Sequence, residues 1–246
     1  MPRADAKAFS TGHFAGTLAL VSSPLQTAGS FLHPQWEPAA QEISPTSSHP
    51  LLFLLGRHSN VVGTAPGFDR LPLSYNEALV GVPYVRARGG THSFFHMARL
   101  YLDRRWPTWM GMLFGFDKNL RTVENGPGRF VVHERDGGAL WSAAIVDAPG
   151  EVSAEVRQQV ASIFELPFLS SLRIGFWQSD LACWMTMRNY RMQPARLQLD
   201  LRDPWVRQRG LPSSISIGGA DGNPAGCAIR LEYDWTLSYP AYRFDR

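Results

Sequence analysis

The sequence predicts an α+β protein that is rich in β-strands and contains a few helices. Its 22 glycines and 18 prolines are spread along the 246 residues, and this spacing suits many short strands joined by turns. The clearest strand lies near the end of the chain, where apolar residues from Cys227 to Leu237 alternate with polar ones from Arg230 to Thr236. Such a period of two indicates a strand with one buried and one solvated face.

The other strands follow from apolar runs and from the turn residues between them. A polar stretch, 38–50, predicts a long loop between an N-terminal strand and a buried strand at 51–55. Two hairpins are expected, one around Asp136-Gly137-Gly138 and one around Ser179-Asp180, and Pro83 indicates a bulge or a sheet edge. The remaining predicted strands are 76–88, 93–102, 129–135, 139–146, 172–178, 181–190 and 196–202.

Two helices are expected between these strands. One spans 153–165, where apolar residues recur at helical spacing. The other is short, 107–114, and Gly115 stands where a glycine commonly ends a helix. Its apolar residues between Trp109 and Phe114 are expected to face inward as one stripe.

Composition excludes several classes of protein. Charged residues make up 18% of the chain and apolar residues 44%, which argues against disorder, and a net charge of +3 is not a nucleic-acid-binding footprint. Two cysteines are too few for a disulfide scaffold, and no run approaches the ~20 apolar residues of a membrane-spanning helix. We therefore expect a cytoplasmic protein that binds neither nucleic acid nor membranes, with one domain over 1–246 and a flexible tail at 1–12.

Only two of the 24 basic residues are lysines, so Lys118 is the one lysine outside the N-terminal region that holds Lys7. A lysine amine is a nucleophile only when it is deprotonated, and burial among apolar groups lowers its pKa and favours that form. Aromatic residues from Trp106 to Phe116 precede Lys118. On the residues alone, a solvated loop lysine remains the alternative, as does a solvated strand-edge carboxylate for Glu77.

Four segments together resemble the acetoacetate decarboxylase family. They are Ser74-Tyr75-Asn76-Glu77, Phe95-His96-Met97, Tyr101-Leu102-Asp103 and Gly115-Phe116-Asp117-Lys118-Asn119-Leu120. Their order is similar to that of the family, in which a Tyr-x-Glu strand precedes a lysine-bearing segment, and 41 positions separate Glu77 from Lys118. The resemblance covers 74–120 and follows the order of later elements more loosely.

The resemblance implies a cone-shaped, largely antiparallel β-barrel with a few helices around an apolar pocket. In that pocket Lys118 would form an imine (Schiff base) with a keto or aldehyde substrate, and Glu77 would move protons or orient the amine. It also implies a homo-oligomer and a reaction with no cofactor. We expect no metal site, since His92 and His96 on one strand face would stand about 13 Å apart, too far to share an ion.

Three features depart from the family's pattern. Asn119 replaces the second lysine of a pair, Asp117 replaces a proline, and residues 4–56 contain no arginine that could hold a substrate carboxylate. Decarboxylation needs a held carboxylate, whereas imine chemistry needs only an amine, a proton-transfer group and a dry pocket.

The sequence thus favours a carbonyl-handling lyase of the aldolase, dehydratase or cyclase type over a strict β-keto-acid decarboxylase. Lys118 and Glu77 are its expected catalytic residues, and its partner is a small-molecule ketone or aldehyde. The alternative is a non-catalytic protein of the same fold that binds an aromatic or polyketide-like molecule, because aromatic residues make up 12% of the chain.

Overall fold

Strands form most of the protein in the computed structural model, which describes residues 7–63, 72–113, 115–174, 177–218 and 226–239. The helices in these ranges are α1 (Leu25–Gly29), α2 (Arg105–Leu113), α3 (Ala154–Glu165) and α4 (Pro204–Arg207). The strands are β1 (Lys7–Pro24), β2 (Trp36–Pro38), β3 (Ser48–Gly63), β4 (Leu73–Ala87), β5 (Phe94–Leu102), β6 (Lys118–Leu120), β7 (Thr122–Gly126), β8 (Arg129–His133), β9 (Ala139–Asp147), β10 (Phe168–Ile174), β11 (Trp177–Leu201), β12 (Ser214–Ile217) and β13 (Ala228–Tyr239). The β-rich composition predicted from the sequence is confirmed.

Seven of the strands form a ring of hydrogen-bonded neighbours. The order β10-β5-β4-β3-β1-β13-β11 returns to its start, because β11 also pairs with β10. The β10–β5 pair is parallel and the other pairs of the ring are antiparallel. Beyond the ring, the second half of the long strand β11 pairs with β12 and with β9. Strands β8 and β7 follow β9 in the sheet. The ring is consistent with the largely antiparallel barrel that the family resemblance implies.

The ring encloses one apolar core, and a second core lies on the opposite face of the sheet. Strand β3 contributes to both, since Leu52 and Leu54 belong to the enclosed core whereas Leu51, Phe53 and Leu55 belong to the other. This explains the uninterrupted apolar run at 51–55. Every strand of the ring places a side chain in the enclosed core, among them Phe14, Leu52, Leu79, Phe95, Phe168, Met185 and Tyr233.

Helix α3 packs into the enclosed core as its sequence pattern predicts. Its first turn is capped by Ser153, whose Oγ accepts a hydrogen bond from the Val156 backbone N–H at 3.2 Å. Val156, Val160, Ile163 and Phe164 form its buried face. Within the described residues, no helix has both the length and the apolar character needed to cross a membrane.

The turn of one predicted hairpin lies elsewhere. Ser179 pairs with Leu172 and Asp180 with Ser171, so both residues are within a ladder that extends to the pair Ile174–Trp177. Serine and aspartate favour turns, but pairing along a whole strand overrides that local preference. The two predicted strands 181–190 and 196–202 are likewise parts of one strand, β11.

The N-terminal region also differs from expectation. Residues 1–12 were expected to be a flexible tail, but Lys7 begins β1, and residues 7–12 pair with β13. Pairing with β13 explains why residues 7–12 are ordered, because their backbone groups form hydrogen bonds with a strand whose edge would otherwise be unpaired. Residues 1–6 lie outside the described residues. The bulge indicated by Pro83 is present, as the β4–β5 register shifts between Val82 and Val85.

Candidate active site

An apolar cavity of about 100 Å³ lies within the ring. Most of its lining consists of leucine, phenylalanine and methionine side chains from the ring strands and α3. No arginine is present among the described lining residues. The polar groups that line the cavity are His58, Tyr75, Glu77, Lys118, Tyr233 and Trp235.

The Lys118 amine points into this cavity from the short strand β6. Strand β6 runs parallel to β5, with Lys118 opposite Leu100. The Nζ atom lies 6.0 Å from the ring centroid of Tyr75 and 5.9 Å from that of Phe116. Loss of water lowers the pKa of Lys118, although the negative charge of Glu77 and the nearby Cys183 thiol oppose this effect. No carboxylate among the described residues forms an ion pair with the amine within 4.0 Å.

The residues on either side of Lys118 face away from the cavity. Asp117 accepts hydrogen bonds at Oδ2 from Nε and Nη2 of Arg99, at 3.1 and 3.0 Å. Asn119 donates from Nδ2 to Oδ1 of Asp117 at 3.1 Å. The alternation of side chains along β6 therefore sends only Lys118 inward. Because Arg99 holds the Asp117 carboxylate outside, this departure from the family's pattern places no negative charge in the cavity.

The end of helix α2 directs the chain into β6. Gly115 has a φ of +80°, its N–H donates to the Met112 carbonyl at 3.0 Å, and the Phe116 N–H donates to the Gly111 carbonyl at 3.0 Å. These two bonds form a Schellman motif, which requires a residue with positive φ and so favours glycine. The predicted role of Gly115 as the glycine that ends α2 is confirmed.

The face that α2 presents to the protein differs from the prediction. Pro107, Thr108 and Gly111 are buried, whereas Trp109 is 50% exposed and lies 5.4 Å, centroid to centroid, from the ring of Trp106. The inward apolar stripe was therefore wrong at Trp109. The physical reason is the lysine itself: a Cβ on Gly111 would lie 2.8 Å from Lys118 Nζ and closer still to its methylene carbons. Small residues must face Lys118, so the bulky Trp109 faces outward.

Glu77 is buried beside the cavity, at 6% exposure, in the middle of β4. Burial alone raises its pKa, but the neighbouring His58 side chain, together with the charge of Lys118, brings the pKa below its ordinary value. Arg86, which could have paired with a solvated Glu77, pairs instead with Glu37 at 2.9 Å. Glu77 is therefore an ionised carboxylate inside the protein.

His58 and Trp235 complete the polar wall, and the sequence did not single them out. His58 Nε2 lies 3.5 Å from Glu77 Oε1, and Trp235 Nε1 donates a hydrogen bond to His58 Nδ1 at 3.1 Å. The imidazole is stacked on Tyr75, with ring centroids 4.9 Å apart and planes at 26°. One signal was present in the sequence: the alternation in β13 predicts that Trp235 shares the buried face of Tyr233.

The site holds the groups for amine nucleophilic catalysis and proton transfer. An amine of lowered pKa and an ionised carboxylate share a largely apolar space, in which electrostatic effects are stronger than in water. Among the described residues, no three histidine, cysteine, aspartate or glutamate side chains are arranged to hold a metal ion.

Solved structures of similar shape extend over most of this chain. One is the enduracididine biosynthesis enzyme MppR complexed with the condensation product of pyruvate and imidazole 4-carboxaldehyde. It is 14% identical, with a TM-score of 0.62 over 92% of this chain and 87% of that chain. Another is an acetoacetate decarboxylase-like enzyme from Sphingomonas wittichii RW1, 10% identical, with a TM-score of 0.62 over 97% of this chain and 95% of that chain. The chain has the acetoacetate decarboxylase-like fold.

The names of these similar structures describe them as enzymes. A third similar structure is MppR complexed with pyruvate. Its protein chain is 15% identical to this chain, with a TM-score of 0.60 over 92% of this chain and 88% of that chain. No protein-family model and no curated protein matches the sequence. At these identities the likeness establishes the fold, and the chemistry must be argued from the residues of this chain.

Proposed function

We propose that this protein is an enzyme in which Lys118 forms an imine with a small ketone or aldehyde and Glu77 transfers the protons. The observation that carries the proposal is the position of the only lysine of the described barrel interior: its amine lies in an apolar cavity that also contains the Glu77 carboxylate. A buried amine beside a proton acceptor is the arrangement that imine catalysis requires. The fold shared with MppR and with an acetoacetate decarboxylase-like enzyme supports it.

The reaction begins with attack of the neutral Lys118 amine on the carbonyl carbon. The carbinolamine that forms takes up one proton from solvent, loses water and becomes a protonated imine, whose positive nitrogen draws electrons from the neighbouring carbon. Glu77 accepts the proton from that carbon, and the resulting enamine attacks a second carbonyl or is protonated again. The proton on Glu77 goes to the new oxygen or carbon, and water hydrolyses the imine to release the product and the amine. The proton taken up from solvent returns to solvent when the imine is hydrolysed at the end of the reaction. This sequence suits a lyase of the aldolase, dehydratase or cyclase type.

The size and charge of the cavity favour a small neutral substrate. A cavity of about 150 Å³ can hold a benzene molecule, and this one measures about 100 Å³. A substrate carboxylate would find no arginine in the described lining, and the Glu77 carboxylate would repel it. These two features favour a neutral carbonyl compound of a few non-hydrogen atoms over a β-keto acid.

Reductive trapping tests the proposal, and the chain provides a matched control because it has only two lysines. The protein is incubated with acetone, acetaldehyde or acetylacetone, reduced with borohydride, and digested for mass spectrometry. We expect the adduct on Lys118 in the wild type and in Lys7→Arg, and none on position 118 in Lys118→Met. Labelling of Lys7 alone, or of neither lysine, would overturn the proposal.

A binding protein without catalytic activity is the second candidate, and the absence of arginine from the described cavity lining favours it. The two functions differ in what Lys118→Met does. If the protein is an enzyme, the variant loses the exchange of α-protons of acetone with deuterated solvent, measured by NMR. If it only binds ligands, the wild type shows no exchange, and the variant binds acetylacetone as tightly as the wild type does.

A further inference from the structure

The direction of the hydrogen bond between Trp235 and His58 fixes the state of the imidazole. An indole nitrogen can only donate, so the 3.1 Å contact places the Trp235 hydrogen between Nε1 and His58 Nδ1. His58 Nδ1 must therefore carry a lone pair and no hydrogen. The ring is then neutral, and its one hydrogen is on Nε2.

The Nε2 atom lies near the Glu77 carboxylate and has no hydrogen-bond partner among the described residues. The atom is fully buried and forms no complete hydrogen bond with the described residues, and the Glu77 Oε1 atom is 3.5 Å away. The ring cannot turn away from this direction easily. Tyr75 stacks on it, Phe14 lies 5.0 Å away between ring centroids, and Trp235 holds the opposite edge.

We propose that Trp235, His58 and Glu77 form a one-way hydrogen-bond chain, in which His58 acts only as a donor and keeps Glu77 as the base of the cavity. Trp235 donates to Nδ1, and Nε2 donates to the carboxylate. His58 has no free lone pair in this state, so it cannot take a proton from a substrate. It is a positioning residue that acts through Glu77.

The other titratable groups near Glu77 fit this assignment. Tyr75, on the same strand, and Tyr233, on β13, both have raised pKa values because they are buried and lie near the Glu77 charge, so both stay protonated. Lys118 on β6 attracts the carboxylate, and Cys183 on β11 lies near Lys118. Once the Lys118 nitrogen is part of the protonated imine, with both phenols protonated and the imidazole lone pair occupied, Glu77 is the proton acceptor among the described groups around the cavity.

This inference rests on the proposed function for its meaning, but its first test needs no substrate. Long-range ¹H–¹⁵N NMR of the histidine side chains identifies the protonated ring nitrogen, and the signals that disappear in His58→Gln belong to His58. We expect the Nε2–H tautomer of His58 in the wild type and an increased share of the Nδ1–H tautomer in Trp235→Phe. An Nδ1–H or doubly protonated ring in the wild type at neutral pH would overturn the chain. An unchanged tautomer of His58 in Trp235→Phe would show that Trp235 is not part of the hydrogen-bond chain.

The second test measures the Glu77 pKa by ¹³C NMR of its carboxyl group. In His58→Met the donor is lost and burial remains, so we expect the pKa of Glu77 to rise by about one unit. In His58→Gln the side-chain amide can still donate, so much of the rise should disappear. The same pKa in His58→Met as in the wild type would refute the holding role of His58, and Trp235→Phe provides the milder variant if His58→Met does not fold.

The outcomes separate the two proposals. If Lys118 is not trapped but the tautomer and the Glu77 pKa behave as described, the imine function fails and the hydrogen-bond chain stands. If Lys118 is trapped and the Glu77 pKa is the same in His58→Met as in the wild type, the imine function stands and the hydrogen-bond chain fails. Both proposals together predict that acid weakens α-proton exchange at a higher pH in His58→Met than in the wild type.

Discussion

Gly111 of α2 lies against the side chain of Lys118, so close that one added carbon would overlap the lysine methylenes. The contact joins the helix that precedes β6 to the amine that β6 places in the cavity. Because the Gly111 carbonyl also accepts the bond that ends α2, its backbone cannot move away without breaking the helix end. The lysine side chain must therefore be the part that yields to any larger residue.

Gly111→Ala should displace the Lys118 amine while the fold is kept. A displacement of about 1 Å at a reacting group can reduce a rate about 100-fold, and we expect a fall of that order in the rate of borohydride trapping. The matched control is Gly126→Ala, since a Cβ at Gly126 meets no atom within 4 Å. Circular dichroism should show both variants folded. Equal trapping rates for the two would mean that Gly111 does not constrain the lysine.

Arg99 should control the reactivity of Lys118 through Asp117. The guanidinium stacks 4.1 Å from the Trp205 ring centroid and holds the Asp117 carboxylate outside the cavity. In Arg99→Ala the carboxylate loses its partner, and its charge then favours the protonated amine. We expect the trapping rate at neutral pH to fall several-fold, since one unit of lysine pKa changes the neutral fraction about tenfold.

The double variant Arg99→Ala/Asp117→Asn is the control for this prediction. It removes the unpaired charge, so it should return the trapping rate close to that of the wild type. A rate that stays low in the double variant would show that Arg99 acts by packing on Trp205 and not through Asp117.

The resemblance to the acetoacetate decarboxylase family pointed to the residues of the candidate site that are close in the chain. Glu77 and Lys118 were expected from motifs within 74–120, and β4, β5 and β6 are neighbours in the sheet, so local order carries over into space. His58 and Trp235 are 177 positions apart and meet only because β1 joins β3 to β13. A single sequence shows which residues face inward on each strand, but the ring register decides which of them touch.

The orientation of α2 was mispredicted for a related reason. The helical pattern correctly located a helix ending at Gly115, but the pattern alone places Trp109 inward. The inward position is occupied by Lys118, whose long side chain lies against Gly111 and leaves no room for a Cβ there. Which side chain packs against a helix face depends on the tertiary structure, and the periodicity of the helix sequence does not reveal it.

Lys118→Met should stabilise the protein in a pH-dependent manner. Burial places the pKa of Lys118 in the folded state below its ordinary value of 10.5. Between the folded and unfolded pKa values the unfolded chain binds more protons, so stability contributed by this group rises with pH. The destabilisation caused by burying the charged amine is complete at pH values below the folded-state pKa and absent at pH values above 10.5. Methionine removes the charge, and we expect a gain of about 1 kcal/mol at neutral pH that vanishes above the ordinary lysine pKa.

Urea denaturation at several pH values measures this gain. Lys7→Arg is the control, because Lys7 is exposed and remains charged after substitution. A gain in Lys118→Met that persists unchanged at high pH would assign it to better packing and not to the amine.

Tyr101→Phe should lower stability and leave Lys118 chemistry unchanged. The Tyr101 hydroxyl donates to Oδ2 of Asp203, which is 3% exposed and also caps α4 by accepting from the Trp205 N–H at 2.9 Å. Loss of the donor leaves a buried carboxylate poorly satisfied, at a cost of about 1–3 kcal/mol. Tyr101 belongs to the core outside the cavity, and Arg99 keeps both of its hydrogen bonds to Asp117, so the trapping rate should match the wild type. A variant that is as stable as the wild type but slower to trap would contradict this division between the two cores.

Substrate charge should be set by the absence of arginine from the described cavity lining, and one substitution can test this. Leu237 is a partly buried lining residue on β13, so an arginine there can extend along the cavity without replacing a fully buried side chain. The wild type should be trapped faster by acetone than by pyruvate, because the pyruvate carboxylate is repelled by Glu77 and finds no arginine in the described lining. In Leu237→Arg the guanidinium can pair with that carboxylate.

The expected change is about tenfold in the ratio of the pyruvate rate to the acetone rate, which corresponds to about 1.4 kcal/mol of preferential binding. Leu237→Gln is the matched control, since it adds polarity and length without charge and should leave the ratio near the wild-type value. Raised ionic strength should reduce the gain in Leu237→Arg if the pairing is electrostatic and partly solvated. If the wild type already prefers pyruvate, some other group holds the carboxylate, and the preference for neutral carbonyl compounds is wrong even though the imine chemistry stands.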